Sequence, residues 1–256
     1  TGVQTCALPI CLLEVEREAN YIRGNMRTLA LPGLDKETVE RQVENLAKSR
    51  EHYQEAWAVY EPLPQTEREA ELWAEFVPAW EAWRTENNKA LDLRKEFDEN
   101  GIADPTRLKG HLESFTKDHY ALVQKTLELL YRNETFDGGD DHTTCNSGKY
   151  FPSFKTENAE LTGIVRNFED PHRQFHEAVK EIKRLVAQGD AEGAKAVYEN
   201  KMAPNMATVF GEFDKMIAIA DESDTLLHDA LEQLLGPVTE RQREAVALLE
   251  EVVTIN

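Results

Sequence analysis

Residues 96–112 read EFDENGIADPTRLKGHL, a stretch in which one helix is expected to end and the next to begin. Gly101 follows a long helix-favouring run and suits the left-handed position just past a helix end. Asp104 is a typical N-cap, and Pro105 fits the first helical position, where a missing N–H costs no hydrogen bond. The stretch therefore predicts two long helices joined by a short connection, the second reaching about Tyr131.

Similar signals divide the chain on the N-terminal side of this stretch. Pro32 and Gly33 interrupt a first helix, and Asp35 is a plausible N-cap for a second. Thr66 and Glu69, three residues apart, form a capping box for a third helix. The helices predicted here cover about residues 12–31, 36–60 and 67–100.

On the C-terminal side, residues 133–154 have the composition of a loop. Asp170 and Pro171 repeat the cap-then-proline signal and predict a helix that starts there and ends near Gly189. Asp190 is then expected to start a shorter helix.

The last helices are separated by prolines. Pro204 is expected to kink or restart the chain, and Gly236 with Pro237 is expected to break the following helix. Thr239 and Gln242 are predicted to cap a final helix that still runs at the end of the sequence.

Glycine and proline are sparse, 13 and 10 in 256 residues, and no segment alternates as a half-buried strand does. The sequence therefore predicts an all-α fold of long antiparallel helices of the four-helix-bundle type, without a sheet.

The composition argues against nucleic-acid binding, membrane-surface binding and disorder. The net charge of −19 disfavours nucleic acid and anionic membrane surfaces as partners, while 41% hydrophobic residues are too many for a disordered acidic tail. Three cysteines, Cys6, Cys11 and Cys145, cannot form a disulfide framework in a chain of this length.

The two ends of the sequence carry their own expectations. Residues 1–10, TGVQTCALPI, resemble a translated sequencing-adaptor scar and are set aside as non-native. Helix-favouring sequence then reaches both ends of the chain. This is expected if the end helices were once continuous with membrane-crossing helices, and it is equally expected of a bundle with frayed ends.

An aromatic stripe lies in the third predicted helix. Trp73, Phe76, Trp80 and Trp83 follow spacings of 3, 4 and 3, which place them on one helix face. Such a stripe most often belongs to a bundle core, and the alternative is the wall of a ligand pocket. Trp57 is expected to pack against it.

The histidines and one cysteine indicate a metal site. His172 and His176 are four residues apart, which puts both imidazoles on one helix face, although such a pair alone often arises by chance. Cys145 lies among polar loop residues rather than in an apolar stripe, and His119 lies on the preceding helix. One thiolate and three imidazoles suit a closed zinc site. His142 is a spare imidazole near the cysteine. The remaining histidines are interpreted as solvated or as making one hydrogen bond: His52, His111 and His228.

At these positions the chain resembles a known family, the chemoreceptor zinc-binding domain. Three elements carry the resemblance, HY at 119–120, CNSGKY at 145–150 and HRQFH at 172–176. The first His, the Cys and the next His are separated by 26 and 27 residues, as is usual in that family. The chain departs from the family pattern at Ser147, where a bulky apolar residue is common, and at Tyr150, which replaces a tryptophan.

The resemblance implies a Zn²⁺ ion held by His119, Cys145, His172 and His176 in a helical sensory module of a bacterial signal transducer. It divides the chain into segments with different roles. Residues 11–103 form bundle helices similar to the sensor region of methyl-accepting chemotaxis proteins, 104–200 the zinc-binding module, and 201–256 the C-terminal helices that lead to an output segment. The parent protein is then expected to be membrane-anchored and homodimeric, with a periplasmic sensor region or, alternatively, a cytoplasmic one.

Catalysis is disfavoured by the motifs present. Lys180 stands where a second histidine of a His-Glu-x-x-His zinc protease would lie, and four protein ligands would close the metal shell. Only Glu169 and His172 fit the Glu-x-x-His spacing of a di-iron bundle, and Pro171 is expected to interrupt that pair at a helix start. The alternatives to a zinc sensor are a metal-free helical ligand-binding or interaction module and a metal-dependent enzyme. The stimulus is left open among zinc, an oxidant, pH and a small molecule.

Overall fold

A computed structural model describes the backbone of residues 8–255 and the side chains from Ile10 onward. Within these residues the chain is mostly helical and contains no strand, so the all-α prediction is confirmed. The α-helices of this part of the chain are α1 (Leu8–Leu29), α2 (Lys36–Tyr60), α3 (Glu67–Asn100), α4 (Pro105–Arg132), α5 (Asn146–Tyr150), α6 (Ala159–Ala187), α7 (Ala191–Val197), α8 (Ala203–Gln233) and α9 (Thr239–Ile255).

The helices belong to two compact units. Unit 1 contains the chain up to Glu99 and from Thr225 onward, and unit 2 contains Asn100–Asp224. The segments 11–103, 104–200 and 201–256 stay a prediction of functional organisation. Residues 1–7 of the expected N-terminal scar lie outside the described residues, and residues 8–10 lie in α1.

Several helix starts form as their local sequence predicts. The Asp35 carboxylate accepts a hydrogen bond from Thr38 N at 2.7 Å, and Asp104 accepts one from Arg107 N at 3.0 Å. Thr66 N donates to the Glu69 carboxylate at 3.1 Å, and Glu69 N donates to Thr66 Oγ1 at 3.3 Å. Gly101 has φ +78°, the left-handed conformation expected after α3.

The predicted helix start at Asp170-Pro171 is wrong. Helix α6 begins at Ala159, where Asn158 is the N-cap and accepts from Leu161 N at 2.8 Å, and Pro171 lies inside the helix. A buried apolar stripe continues across the proline, with Phe168 and Phe175 both 2% exposed or less. Burial of this stripe offsets the cost of an interior proline, which is about 3 kcal/mol.

Residues 133–154 are not wholly a loop. They contain α5 and a 3₁₀ turn at Phe151–Ser153. Cys145 caps α5, because its Sγ accepts a hydrogen bond from Gly148 N at 3.3 Å. A cysteine cap is absent from the usual capping preferences, so this helix start carries no familiar sequence signal.

The helices do not end at the later prolines but continue through or next to π-helical turns. A π-helical turn, Tyr198–Met202, precedes Pro204, and another, Leu234–Val238, contains Pro237. Such turns absorb the hydrogen bond that a proline cannot donate. The predicted cap formed by Thr239 and Gln242 is wrong, since Thr239 Oγ1 donates instead to Leu234 O at 3.0 Å.

The aromatic stripe of α3 lies in the core of unit 1. Trp73, Phe76, Trp80 and Trp83 are all 7% exposed or less. Trp57 of α2 packs against the stripe, with ring centroids 4.7 Å from Trp73 and 5.2 Å from Phe76. These side chains occupy the position that the core interpretation of the stripe predicts.

Arg94 of α3 holds the end of α1. Its side chain is buried, and Nη1 donates to Leu29 O at 2.5 Å and to Leu31 O at 3.2 Å. Its Nη2 also pairs with Asp98 at 2.8 Å. The guanidinium thus satisfies carbonyls that have no partner within α1 at the helix end.

Replacing Arg94 with alanine is therefore expected to lower the free energy of unfolding by about 3 kcal/mol, because the buried Leu29 carbonyl loses its charged donor. Urea unfolding followed by circular dichroism measures the change. Arg68→Ala is the control, since Arg68 is 59% exposed in its pair with Glu71 and should cost less than about 1 kcal/mol. Equal losses in the two variants would contradict the role of Arg94.

Among the described helices, none combines the length and the apolar composition that crossing a membrane requires.

Candidate metal centre

The four predicted metal ligands come together in unit 2. His119 lies on α4, His172 and His176 lie on α6, and Cys145 lies at the start of α5. One ligand atom from each residue lies within 4.8 Å of every other. The three histidines are 3% exposed or less, so the cluster sits inside the unit.

The distances within the cluster fit a tetrahedral ion. His172 Nε2 lies 3.1 Å from His119 Nε2, 3.1 Å from His176 Nε2 and 3.3 Å from Cys145 Sγ. Zinc bonds of about 2.0–2.1 Å to nitrogen and 2.3 Å to sulfur place two tetrahedral nitrogens about 3.3 Å apart and a nitrogen and a sulfur about 3.6 Å apart. These three distances are slightly shorter than those values, and the remaining pairs of ligand atoms lie within 4.8 Å of one another.

Two backbone carbonyls orient the imidazoles. His119 Nδ1 donates to Phe115 O at 2.7 Å, and His176 Nδ1 donates to Gly139 O at 2.9 Å. Because a carbonyl only accepts, each Nδ1 carries the proton and each neutral ring presents a lone pair at Nε2. Such outer hydrogen bonds fix the tautomer of zinc-binding histidines.

The cluster has too few protons for its acceptors. The lone pairs of His119 and His176 both face His172 Nε2, which has at most one proton to donate. In at least one of these two buried contacts, therefore, two nitrogen lone pairs face each other without a proton between them, which is repulsive. A cation among the four atoms would remove this conflict, and the donor set of one thiolate and three imidazoles suits Zn²⁺.

Burial keeps the imidazoles neutral. It is the largest cause that lowers the pKa of His172 to about 2, with further lowering by His176 and His119. Burial also lowers the pKa of His176 to about 4 and lowers the pKa of His119. All three rings are therefore neutral near pH 7, which is the form that binds metal.

The turn that presents Cys145 depends on Gly148. A Cβ at Gly148 would lie 1.8 Å from His142 O, so the backbone of the turn can pass only over a glycine. Gly148 N also donates to Cys145 Sγ at 3.3 Å, so the glycine contributes a direct contact to the sulfur. This close approach explains why a glycine stands three residues after the cysteine.

Replacing Gly148 with alanine is expected to weaken zinc binding by roughly ten- to a hundredfold, because the turn must move and carry Sγ away from the histidines. Competition titration against a chelator measures the affinity, and circular dichroism checks that helix content is kept. Gly163→Ala on α6 is the matched control, because a Cβ there meets nothing within 4 Å. An unchanged affinity for Gly148→Ala would contradict this account of the turn.

Ser147 is a neighbour of the cluster that the sequence did not identify as functional. It is fully buried, and its Oγ lies 3.3 Å from Cys145 Sγ and 3.2 Å from His172 Nε2. The only signal in the sequence was the polar residue at a position where the similar family usually has an apolar one. Its hydroxyl lies within hydrogen-bonding distance of two of the predicted ligand atoms.

The remaining histidines lie outside the cluster. His142 is 37% exposed, with its ring centroid 6.0 Å from that of His172, and it is not among the four converging residues. His52 and His228 are exposed, and His111 packs on Tyr150 at 4.7 Å. Within the described residues, the converging group contains no carboxylate.

Comparison with known proteins gives one match. Residues 8–132, slightly under half of the chain, match the model of a family described as a four helix bundle sensory module for signal transduction. No curated protein and no solved structure matches the chain. The matched stretch covers α1–α3, which lie almost wholly in unit 1, and α4 of unit 2.

The fold and the match together define the class of this region: it is similar to helical sensory modules that act in signal transduction. The description of that family names no metal, so zinc binding at the His/Cys cluster stays a prediction.

Proposed function

We propose that the chain is a non-catalytic, zinc-binding sensory region of a bacterial chemoreceptor or related signal transducer. The convergence of His119, Cys145, His172 and His176 on one buried point carries this proposal. Four protein ligands leave zinc no open position, whereas catalytic zinc keeps one for water or substrate.

The bound ion would act as a crosslink within unit 2. Its ligands come from α4, from the start of α5 and from α6, so an occupied site ties three elements together. Loss of the ion, or loss of the thiolate as a ligand, leaves buried imidazoles facing one another and loosens the packing between these helices. A change in the packing of long helices is a common way for a sensor to pass on a signal.

The sensory match suggests the setting of this region. We place it in the periplasm as part of a membrane-anchored protein that pairs with a second copy through its long helices and passes the signal to an output segment. A cytoplasmic location is the alternative. The N-terminal stretch similar to sensory modules and a set of four protein ligands, which would close the zinc shell, support a sensor over an enzyme.

The decisive experiment is metal analysis of protein purified without a histidine tag. We expect one zinc per chain in the wild type and in His142→Ala, and less than a tenth of that in Cys145→Ser, because a hard hydroxyl replaces the soft thiolate. Zinc-free wild type would favour a metal-free helical module instead. A zinc-bound water, detected by X-ray absorption spectroscopy, would favour a metal-dependent enzyme.

Coupling of the site to packing has a separate readout. Removal of zinc is expected to increase amide hydrogen exchange in residues 139–150 and in the flanking turns of α4 and α6, since these segments lose their crosslink. Unchanged exchange after complete zinc removal would show that the ion does not control helix packing.

A further inference from the structure

A cavity in unit 2 leads to the candidate metal centre from one side. It has a volume of about 340 Å³, and His119, Cys145 and His176 form part of its lining. His172 does not line it and lies against Phe168, whose ring centroid is 4.5 Å away. Three of the four ligands therefore border a cavity, while the fourth lies on the inner side.

The rim of the cavity is acidic. Asp118 and Asp137 line it and are exposed, and Lys125 is the one charged residue of opposite sign in the described lining. The lining residues carry two carboxylates and one ammonium, a net charge of −1, and the Lys183 ammonium lies beside them at Phe136, in a chain of net charge −19. Such a field raises the local concentration of divalent cations.

Contacts hold the Asp118 carboxylate and the loop that carries Asp137. Asn146, next to the ligand Cys145, donates from Nδ2 to Asp118 at 2.7 Å. Lys183 of α6 lies 4.1 Å from the Phe136 ring centroid and donates to Gly138 O at 2.5 Å, which fixes the loop on both sides of Asp137. The buried nitrogens of His119 and His176 lie behind this rim.

We propose that this cavity is the route by which zinc reaches and leaves the site, with Asp118 and Asp137 capturing the hydrated cation at its mouth. This inference rests on the zinc binding proposed above and adds that the ion is exchangeable. Occupancy then follows the free zinc concentration outside the protein, which makes zinc itself a stimulus that the site can report.

The test measures the rates of zinc uptake and release by stopped flow with a chromophoric chelator. Uptake is followed when the metal-free chain takes zinc from the chelator, and release when the chelator takes zinc from the loaded chain. D118N/D137N is expected to take up zinc about fivefold more slowly at low salt, because cation steering is lost. The difference should vanish near 1 M salt, where the screening length is about 3 Å. The control, E199Q/D214N, removes the same charge from exposed residues that do not line the cavity and should match the wild type.

A second variant tests the route by size instead of charge. Ala121 is exposed and lines the cavity, and A121W is expected to slow uptake and release by the same factor, at least threefold, with an unchanged Kd. Wild-type rates in both D118N/D137N and A121W would overturn the route. Faster release with normal uptake in D118N/D137N would also overturn it, because the carboxylates would then act on the bound state. Failure of the wild type to bind zinc at all would instead refute the proposed function.

Discussion

Replacing His172 with alanine is expected to weaken zinc binding by roughly a hundred- to a thousandfold. Structural zinc sites bind with about 10–16 kcal/mol, so one of four ligands accounts for about 3–4 kcal/mol. His172 should lie at the upper end, because its Nε2 is 3.3 Å or less from each of the other three ligand atoms. Competition titration with a chelator of known affinity measures the loss.

Two further variants separate ligand loss from damage to the fold. Cys145→Ser keeps an N-cap for α5, because serine accepts from a backbone N–H as the cysteine does, yet it removes the soft ligand. Its cobalt-substituted form should lose the thiolate charge-transfer band that the wild type shows. His142→Ala removes the nearest imidazole outside the cluster and should keep both the band and the affinity. A ligand set containing His142 would reverse these outcomes.

Helix ends were predictable where one or two residues decide them. The caps at Asp35 and Asp104 and the capping box at Thr66 require only contacts three residues away, so the local sequence is enough to predict them. Asp170-Pro171 carries an equally strong local signal but lies within a helix, since buried aromatic residues on both sides hold it there. Tertiary burial outweighed the local preference at that point.

The candidate site was predictable to the level of its side chains. Spacing of four in one helix places His172 and His176 on one face before any fold is known. The carbonyls that orient the rings, Phe115 O and Gly139 O, were not predictable, because any residue supplies a carbonyl and only the fold selects which one is used. The cavity beside the ligands likewise depends on how the 136–139 loop lies against α6, which no motif encodes.

Lowering the pH from 7 to 5 is expected to destabilise the zinc-free protein strongly through the buried histidines. The pKa of His172 falls to about 2 and that of His176 to about 4 in the folded chain, below the ordinary value of 6.5. Between those values the unfolded chain binds protons that the folded chain does not, so the free energy of unfolding decreases as the pH falls below 6.5. The expected loss is about 2 kcal/mol for each of these two histidines. His119 adds to it, since its pKa is also lowered by burial.

Urea unfolding at the two pH values, with a chelator present, measures this loss, and a variant without these two histidines isolates its source. The variant H172Q/H176Q has no imidazole at these positions, so its free energy of unfolding should fall by about 4 kcal/mol less than that of the wild type between pH 7 and pH 5. Equal pH dependence in the two proteins would mean that the histidines take up protons in the folded state. In the zinc-loaded wild type, the free energy of unfolding should begin to decrease at a lower pH. The same nitrogen lone pairs then bind the metal, so protons must displace it before they can bind. The free energy of unfolding can be plotted against pH for the zinc-loaded and the zinc-free protein. The pH at which the two curves meet is the pH at which protons have displaced zinc from these three imidazoles.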